Sequence, residues 1–186
     1  IDIGVGNGTP DLWNKFKNKR IICIDPLDQA EKVTMHMLKN KKYSFHKIAL
    51  GSKKEEKIIN VEKEIGRSTL LKVTKKNFEG KPIARLKIKV DTLDSVIQKI
   101  KTKGTYGIKI DVEGYELEVL KGAKNTLKKT NFVIVEARHN HITFKNQYKL
   151  SDLMNLMTKN RFVLTKILSA KPFIADLCFQ PLRNLK

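Results

Sequence analysis

Four acidic residues stand close together in the stretch IDVEGYELE, residues 110–118. The first of them, Asp111, ends the apolar run YGIKID, which has the composition of a buried strand. Ligands of open α/β sheets bind beyond the carboxyl ends of the strands, so we expect Asp111 to face a cleft. A carboxylate at that position can orient a hydroxyl group and accept its proton. The pattern lacks the Pro-Pro-Tyr turn that holds planar amines, and it therefore favours an oxygen nucleophile.

The other three acids of this stretch are open to different interpretations. Glu113 falls in the turn before a helix, where it is either catalytic or simply stabilised by about 0.3–1 kcal/mol through the helix dipole. Glu116 shares a helical stripe with Leu120 and is expected to face inward, where an acid needs a partner. Glu118 lies one turn from Lys121 and is expected to be solvated.

A second group of polar residues follows the next strand, in FVIVEARHNH. His139 is a candidate general base because the pKa of histidine lies near neutrality, although a plain surface histidine is an equally good interpretation. Glu136 is predicted to contact the acceptor. Together with Asp111 and with His139 or Asn140 it would also suit Mg²⁺. That alternative is the less favoured one, so we predict no metal.

The chain opens with the glycine-rich stretch IDIGVGNG. Its pattern Asp2-x-Gly4-x-Gly6-x-Gly8 is one residue tighter than the dinucleotide fingerprint G-x-G-x-x-G. Asp2 would repel a pyrophosphate but suits a cationic amino group, such as that of S-adenosylmethionine. These four residues are therefore predicted to hold the methionine part of that molecule. A tight turn that serves packing alone is the competing explanation.

Further cofactor and substrate contacts are predicted beyond the glycine-rich stretch. Asp25 ends the strand IICID and is placed to accept hydrogen bonds from ribose hydroxyls. Ala49 and Leu50 are expected beside the adenine. The segment GRSTLL is either a lid, with Arg67 and Ser68 near the acceptor, or an ordinary turn.

Strands and helices alternate along the chain, which predicts an α/β fold with a mostly parallel sheet. The predicted strands are Ile1–Gly4, Arg20–Asp25, Tyr43–Leu50, Arg85–Val90, Tyr106–Asp111, Phe132–Ala137, Phe162–Leu168 and Ile174–Pro181. The predicted helices are Pro10–Lys17, with Thr9 as its N-cap, Leu27–Asn40, Leu93–Lys101, Tyr115–Lys128 and Ser151–Lys159. Residues 51–92 interrupt this alternation with short strands or a loop. We find no linker and expect a single domain over residues 1–186.

Composition limits the classes of protein that need consideration. The 186 residues carry 38 Lys and Arg against 19 Asp and Glu, a net charge of +19. Only six of the basic residues are Arg and no long basic block occurs, so nucleic acid is an unlikely partner despite the charge. No apolar run is long enough to span a membrane, and a cytoplasmic location is expected. The first residue is Ile1, and we expect that the first strand is cut short.

Five stretches of the sequence resemble the FkbM-type S-adenosylmethionine-dependent methyltransferases. They are IDIGVGNG, IDP at 24–26, IALG at 48–51, VDTLDSVI at 90–97 and IKIDVEGYELEVLKGA at 108–123. This resemblance implies a Rossmann-like class I methyltransferase fold with an antiparallel last strand. It also implies O-methylation of a hydroxyl on a sugar, a glycolipid or a small metabolite.

The leading hypothesis is therefore an S-adenosylmethionine-dependent O-methyltransferase. In this hypothesis Asp111, which also touches the cofactor, acts with Glu113 or His139 to orient and deprotonate the acceptor. A nucleic-acid methyltransferase and a nucleoside-binding module without catalysis are the two alternatives. The sequence leaves the oligomeric state and the identity of the acceptor open.

Overall fold

A twisted sheet forms the centre of the molecule, of which the computed structural model describes residues 1–16, 18–73, 82–139 and 143–185. Within these residues the main sheet has seven strands in the order β3-β2-β1-β7-β8-β10-β9. They are β1 (Asp2–Ile3), β2 (Ile21–Ile24), β3 (Tyr43–His46), β7 (Tyr106–Ile110), β8 (Thr130–Arg138), β9 (Phe162–Ala170) and β10 (Ile174–Pro181). All neighbours pair in parallel except β10, which runs antiparallel to both β8 and β9. The predicted α/β sheet with an antiparallel last strand is confirmed.

A smaller sheet accounts for the interruption between residues 51 and 92. Its three strands have the order β4-β6-β5 and comprise β4 (Ala49–Leu50), β5 (Glu55–Val61) and β6 (Ala84–Asp91). The strand predicted over Tyr43–Leu50 was wrong as a single element, because its two ends belong to different sheets. The change of sheet places Leu50 beside Asp91, and the backbone of Gly51 donates to the Asp91 carbonyl.

Helices cover both faces of the main sheet, as expected for strands that are apolar on both sides. They are α1 (Pro10–Lys15), α2 (Asp28–Leu38), α3 (Leu93–Ile100), α4 (Glu116–Lys121), α5 (Lys124–Lys128) and α6 (Leu150–Lys159). One buried cluster joins α3, α4, α5 and α6 to the sheet, and another joins α1 and α2 to β2 and β5. No helix among the described residues is long and apolar enough to cross a membrane.

Two helix predictions need correction. The helix predicted over Tyr115–Lys128 is broken at Gly122 and Ala123 into α4 and α5. Thr9 precedes α1 as predicted, but its side chain does not cap the helix. Its hydroxyl donates instead to the Asp2 carboxylate, a stronger acceptor that the fold brings close.

Gly122 allows α4 to approach the strand that ends at Leu50. A Cβ built on Gly122 would lie 2.1 Å from the carbonyl oxygen of Gly51. That oxygen belongs to the backbone, so the added methyl group can be accommodated only if α4 or the neighbouring sheet moves. The close approach therefore fixes β4 against the main body of the fold.

We expect Gly122→Ala to lower the free energy of unfolding by about 1–3 kcal/mol, the usual range for overpacking. Gly66→Ala is the matched control, because a Cβ there would meet nothing closer than Asn7 Nδ2 at 3.8 Å. Urea unfolding of both variants and the parent chain measures the difference. Equal stability of the two variants would contradict the packing argument.

Candidate active site

A cleft opens at the carboxyl ends of β1, β2 and β7, between the glycine-rich loop and the segment around Gly66. Predicted cofactor-binding residues contribute much of its lining: Gly4, Gly6, Asp25, Ala49, Leu50 and Asp111. The cleft therefore brings together six of the eight residues that the sequence assigned to the cofactor.

The glycine-rich loop passes close to the tip of β7. Gly4 has a φ of +76°, and a Cβ there would lie 1.7 Å from the carbonyl oxygen of Asp111. Any larger residue would push the two strand ends apart, so the contact explains the need for glycine at this position. The loop and Asp111 consequently form one continuous wall of the cleft.

Asp25 links the glycine-rich loop to the end of β2. One carboxylate oxygen accepts a hydrogen bond from the backbone N–H of Gly6 at 3.1 Å, and the other accepts from Leu27 at 2.9 Å. Burial raises the pKa of Asp25, and these backbone donors oppose that shift. The backbone of Val5 is a third donor, so about one acceptor site of the carboxylate is left for a ligand in the cleft.

Asp2 and Gly8, the other two predicted cofactor residues, do not line the cleft. The Asp2 carboxylate is buried and accepts hydrogen bonds from Trp13 Nε1, at 2.8 Å, and from the Thr9 hydroxyl. Gly8 packs against Trp13 and Met37. Both residues hold the glycine-rich loop against α1 and α2, and their contact with a cofactor stays a prediction.

The segment GRSTLL forms part of the wall opposite the glycine-rich loop. Residues Ile65–Arg67 make one turn of 3₁₀ helix, and Gly66, Ser68 and Leu70 line the cleft. Arg67, predicted to bind substrate, points away to an ion pair with Glu64 at 3.1 Å and is half exposed. Ser68 reaches the cleft but also accepts a hydrogen bond from the backbone of Glu62.

Three carboxylates meet beside the cleft where β7 and β8 end. They belong to Asp111, Glu113 and Glu136, and one oxygen from each lies within 4.8 Å of the others. Lys109 Nζ contacts Asp111 at 2.9 Å, and the Arg138 guanidinium pairs with Glu113. Both cations are largely buried, with side chains 12% and 14% exposed. We call these five residues the charge cluster.

The charge cluster carries more negative than positive charge, and its pKa values reflect this imbalance. Burial and the neighbouring Asp111 and Glu113 raise the pKa of Glu136 to about 8. Burial raises the pKa of Glu113 despite its Arg138 partner. Burial alone would lower the pKa of Lys109. The negative charges of Asp111, Asp2 and Glu136 outweigh this effect and raise the pKa.

The arrangement of the three acids also bears on the possible Mg²⁺ site. Lys109 and Arg138 each already occupy an oxygen of one acid. A divalent ion between the same carboxylates would have to lie next to both cations, and their repulsion would weaken its binding. The described residues thus favour a cluster balanced by side-chain cations over a metal site.

Glu116 supports the turn that carries Glu113. One of its oxygens accepts hydrogen bonds from the backbone N–H groups of Val112 and Gly114, at 3.1 and 2.9 Å. Its other oxygen and the Tyr148 hydroxyl are both buried, and burial together with the neighbouring Glu116 raises the pKa of Tyr148. Burial raises the pKa of Glu116 to about 7. The predicted inward acid thus finds its partners in the backbone.

His139 and Glu118 lie outside the charge cluster and have other partners. A ring nitrogen of His139 lies 3.1 Å from the carbonyl oxygen of Lys171, at an exposed turn between β9 and β10. Its predicted role as a base therefore has no support from a contact with the charge cluster. Glu118 is bound by Ser52 and Lys121, so it is less solvated than expected. Asn140 lies outside the described residues.

Sequence reasoning missed three residues that organise the site. Lys109 and Arg138 each stand two positions from an acid of the same strand end, and this period-2 spacing, which places side chains on one face, was the available signal. Thr69 donates to the carbonyl oxygen of Glu113 at 2.7 Å and ties the GRSTLL wall to the turn. No pattern in the sequence predicts this contact between residues 44 positions apart.

We expect Glu116→Gln to become more stable relative to the parent chain as the pH rises. Between pH 4.5 and 7 folded Glu116 keeps a proton that the unfolded glutamate has lost, so its ionisation destabilises the fold over that window. The neutral amide keeps the acceptor oxygen and lacks this penalty, which amounts to at most about 3 kcal/mol. Urea unfolding at pH 5 and pH 8 measures it. A stability difference that is the same at both pH values would refute the assignment, and Glu116→Ala should be destabilised at both.

Comparison with known proteins gives the sequence relationships of the chain. The Methyltransferase FkbM domain matches residues 2–164. Hexuronic acid methyltransferase AglP from Haloferax volcanii is 34% identical over 109 residues, which cover 53% of this chain and 44% of AglP. The chain thus matches less than half the length of this curated relative.

Two solved structures share the fold. Methyltransferase FkbM from Methylobacillus flagellatus KT superposes with a TM-score of 0.59 at 18% identity, covering 96% of this chain and 42% of that protein. Magnesium protoporphyrin IX methyltransferase from Synechocystis PCC 6803, solved with bound S-adenosylmethionine, gives a TM-score of 0.51 at 11% identity and covers 97% and 68%. The Rossmann-like class I methyltransferase fold is therefore confirmed. Because the domain match extends over most of the sequence, the chain belongs to the FkbM methyltransferase family.

Proposed function

We propose that the protein transfers a methyl group from S-adenosylmethionine to a hydroxyl group of a sugar, with a hexuronic acid as the favoured acceptor. One observation carries this proposal: Asp111 lines the same cleft as the glycine-rich loop and Asp25. A nucleoside site and a hydroxyl-binding carboxylate are thereby neighbours. The family membership of the chain supports the same reaction.

The lining of the cleft suits a nucleoside with a charged amino acid tail. Asp25 lines the cleft, and its carboxylate can accept a hydrogen bond from a ribose hydroxyl. Ala49 and Leu50 supply an apolar surface for the adenine. Gly4 and Gly6 line the cleft together with Asp111, whose carboxylate can attract the ammonium group of the tail. When bound, S-adenosylmethionine supplies an electrophilic methyl group, and the chain contributes its position relative to the acceptor.

The charge cluster suits a polyhydroxylated acceptor. Carboxylates accept hydrogen bonds from hydroxyl groups, so the acids of the cluster can bind the hydroxyls of a sugar. The relative AglP is named a hexuronic acid methyltransferase, which agrees with an acceptor that carries both hydroxyl and carboxylate groups. The net charge of +19 favours the approach of such an anion.

Titration calorimetry with S-adenosylhomocysteine tests the donor site. We expect binding by the parent chain and at least a tenfold loss with Asp25→Ala, because the charge-assisted hydrogen bond to the ribose disappears. Asp28→Ala is the matched control: it removes the same charge three residues away, from an exposed ion pair with Lys47. Absence of binding by the folded parent chain would overturn the proposal, and equal binding by both variants would remove Asp25 from the site.

The acceptor is tested by incubation with S-adenosylmethionine and either glucuronate or glucose. Formation of S-adenosylhomocysteine together with a methylated sugar is the expected result, and it should be faster with glucuronate. Methylation of glucose alone would leave O-methylation of sugars in place but exclude the hexuronic acid. Binding of the donor product without turnover of any sugar would point to a nucleoside-binding module.

A further inference from the structure

Glu136 is the member of the charge cluster that lacks a cation of its own. Lys109 and Arg138 pair with the other two acids, whereas Glu136 forms no ion pair among the described residues. It stands at the end of β8, one position beyond the pairing of Val135 with Ile110 of β7. That register places it directly beside Asp111, the residue that reaches the cleft.

Charged and titratable groups face Glu136 from every neighbouring element. From the end of β7 come Asp111 and Lys109, and from the turn before α4 comes Glu113. Asp176 is its cross-strand partner on β10, and Arg138 follows it on β8. The buried hydroxyl of Tyr148 also senses its charge. Three acids thus surround Glu136, and both cations of the cluster are bound elsewhere.

We propose that Glu136 is the general base that takes the proton from the acceptor hydroxyl. The inference rests on the proposed function, and it says which residue receives the hydroxyl proton during methyl transfer. The acceptor oxygen forms a bond to the methyl carbon, and the carbon–sulfur bond of the sulfonium donor breaks with its electron pair on sulfur. The hydroxyl proton passes to a carboxylate oxygen of Glu136. A methyl ether, a neutral thioether and a protonated Glu136 are the products.

The other candidate bases are less suited to this step. Asp111 and Glu113 already have partners, because Lys109 holds an oxygen of the first and Arg138 an oxygen of the second. Each therefore has fewer lone pairs left for the proton of the acceptor than Glu136, which has no cation partner among the described residues. His139 lies at an exposed turn with its ring against Lys171. Asp111 and Glu113 are instead left to orient the hydroxyl.

The environment of Glu136 also defines the pH at which it can act. Burial, Asp111 and Glu113 raise the pKa of this carboxyl group to about 8. The group is therefore protonated and inactive as a base well below pH 8, and ionised above it. A base with a pKa near the working pH is the most effective one, with a usual contribution of about 10²–10⁴-fold to the rate.

The pH dependence of methyl transfer to glucuronate tests the inference. With the parent chain, kcat should fall about tenfold per pH unit below pH 8 and level off above it. Glu136→Gln should lower kcat at pH 8.5 by about 10²-fold or more, while calorimetry still detects S-adenosylhomocysteine binding. Asp176→Asn should move the midpoint to lower pH at an unchanged plateau, because a negative charge that raises the pKa of Glu136 is removed. Glu118→Gln, an acid outside the cluster, should leave the profile unchanged.

Several results would overturn the assignment. A flat profile between pH 6 and 9, or a Glu136→Gln variant that is as active as the parent chain, would exclude Glu136 as the base. Glu136 would also be excluded as the base if a chelator abolished the activity and added Mg²⁺ restored it. If Glu136→Gln does not fold, an unshifted profile of Asp176→Asn decides against the proposal and a shifted one supports it. If the parent chain methylates no sugar, the proposed function fails as well, and that outcome is distinct from the loss of Glu136 alone.

Discussion

The organisation of this protein depends on how carboxylates are accommodated near the carboxyl ends of three parallel strands. Asp25 follows β2, Asp111 follows β7 and Glu136 lies near the end of β8, and the sheet gathers them at one edge. Each needs compensation there, because burial without a partner is unfavourable for a charged group. Backbone N–H groups serve Asp25, and Lys109 serves Asp111. Glu136 is left without a cation. We therefore distinguish a binding part of the site, around Asp25 and Asp111, from a reactive part at Glu136.

The binding part is fixed by contacts to the backbone. The N–H of Gly6 donates to the Asp25 carboxylate, the position of Gly4 is set by the Asp111 carbonyl, and the Thr69 hydroxyl donates to the carbonyl of Glu113. These contacts hold the main chain in place between the glycine-rich loop and the end of β7. Glu116 holds the turn that carries Glu113 in the same way, by accepting hydrogen bonds from the backbone of Val112 and Gly114.

Local sequence patterns predicted the main sheet and the cleft because both depend on residues close in sequence. The apolar runs that precede Asp25 and Asp111 define strands, and the strand ends define the cleft. The pairing of Glu113 with Arg138 spans 25 positions and arises only when β7 and β8 lie side by side. The split of Tyr43–Leu50 between two sheets likewise depends on β6, which pairs with Leu50 from a distant part of the chain. Propensity and periodicity contain no information on such contacts.

The same electrostatic imbalance has opposite effects on stability and on reactivity. Folded Glu136 holds its proton up to a pH of about 8, whereas an unfolded glutamate has lost it near pH 4.5. Folding stability therefore falls as the pH rises through this window, because the folded chain must accept a charge that it disfavours. That disfavoured charge is what makes an ionised Glu136 ready to take a proton. A cation placed next to Glu136 would stabilise the fold at neutral pH, and it would weaken the base by the same interaction.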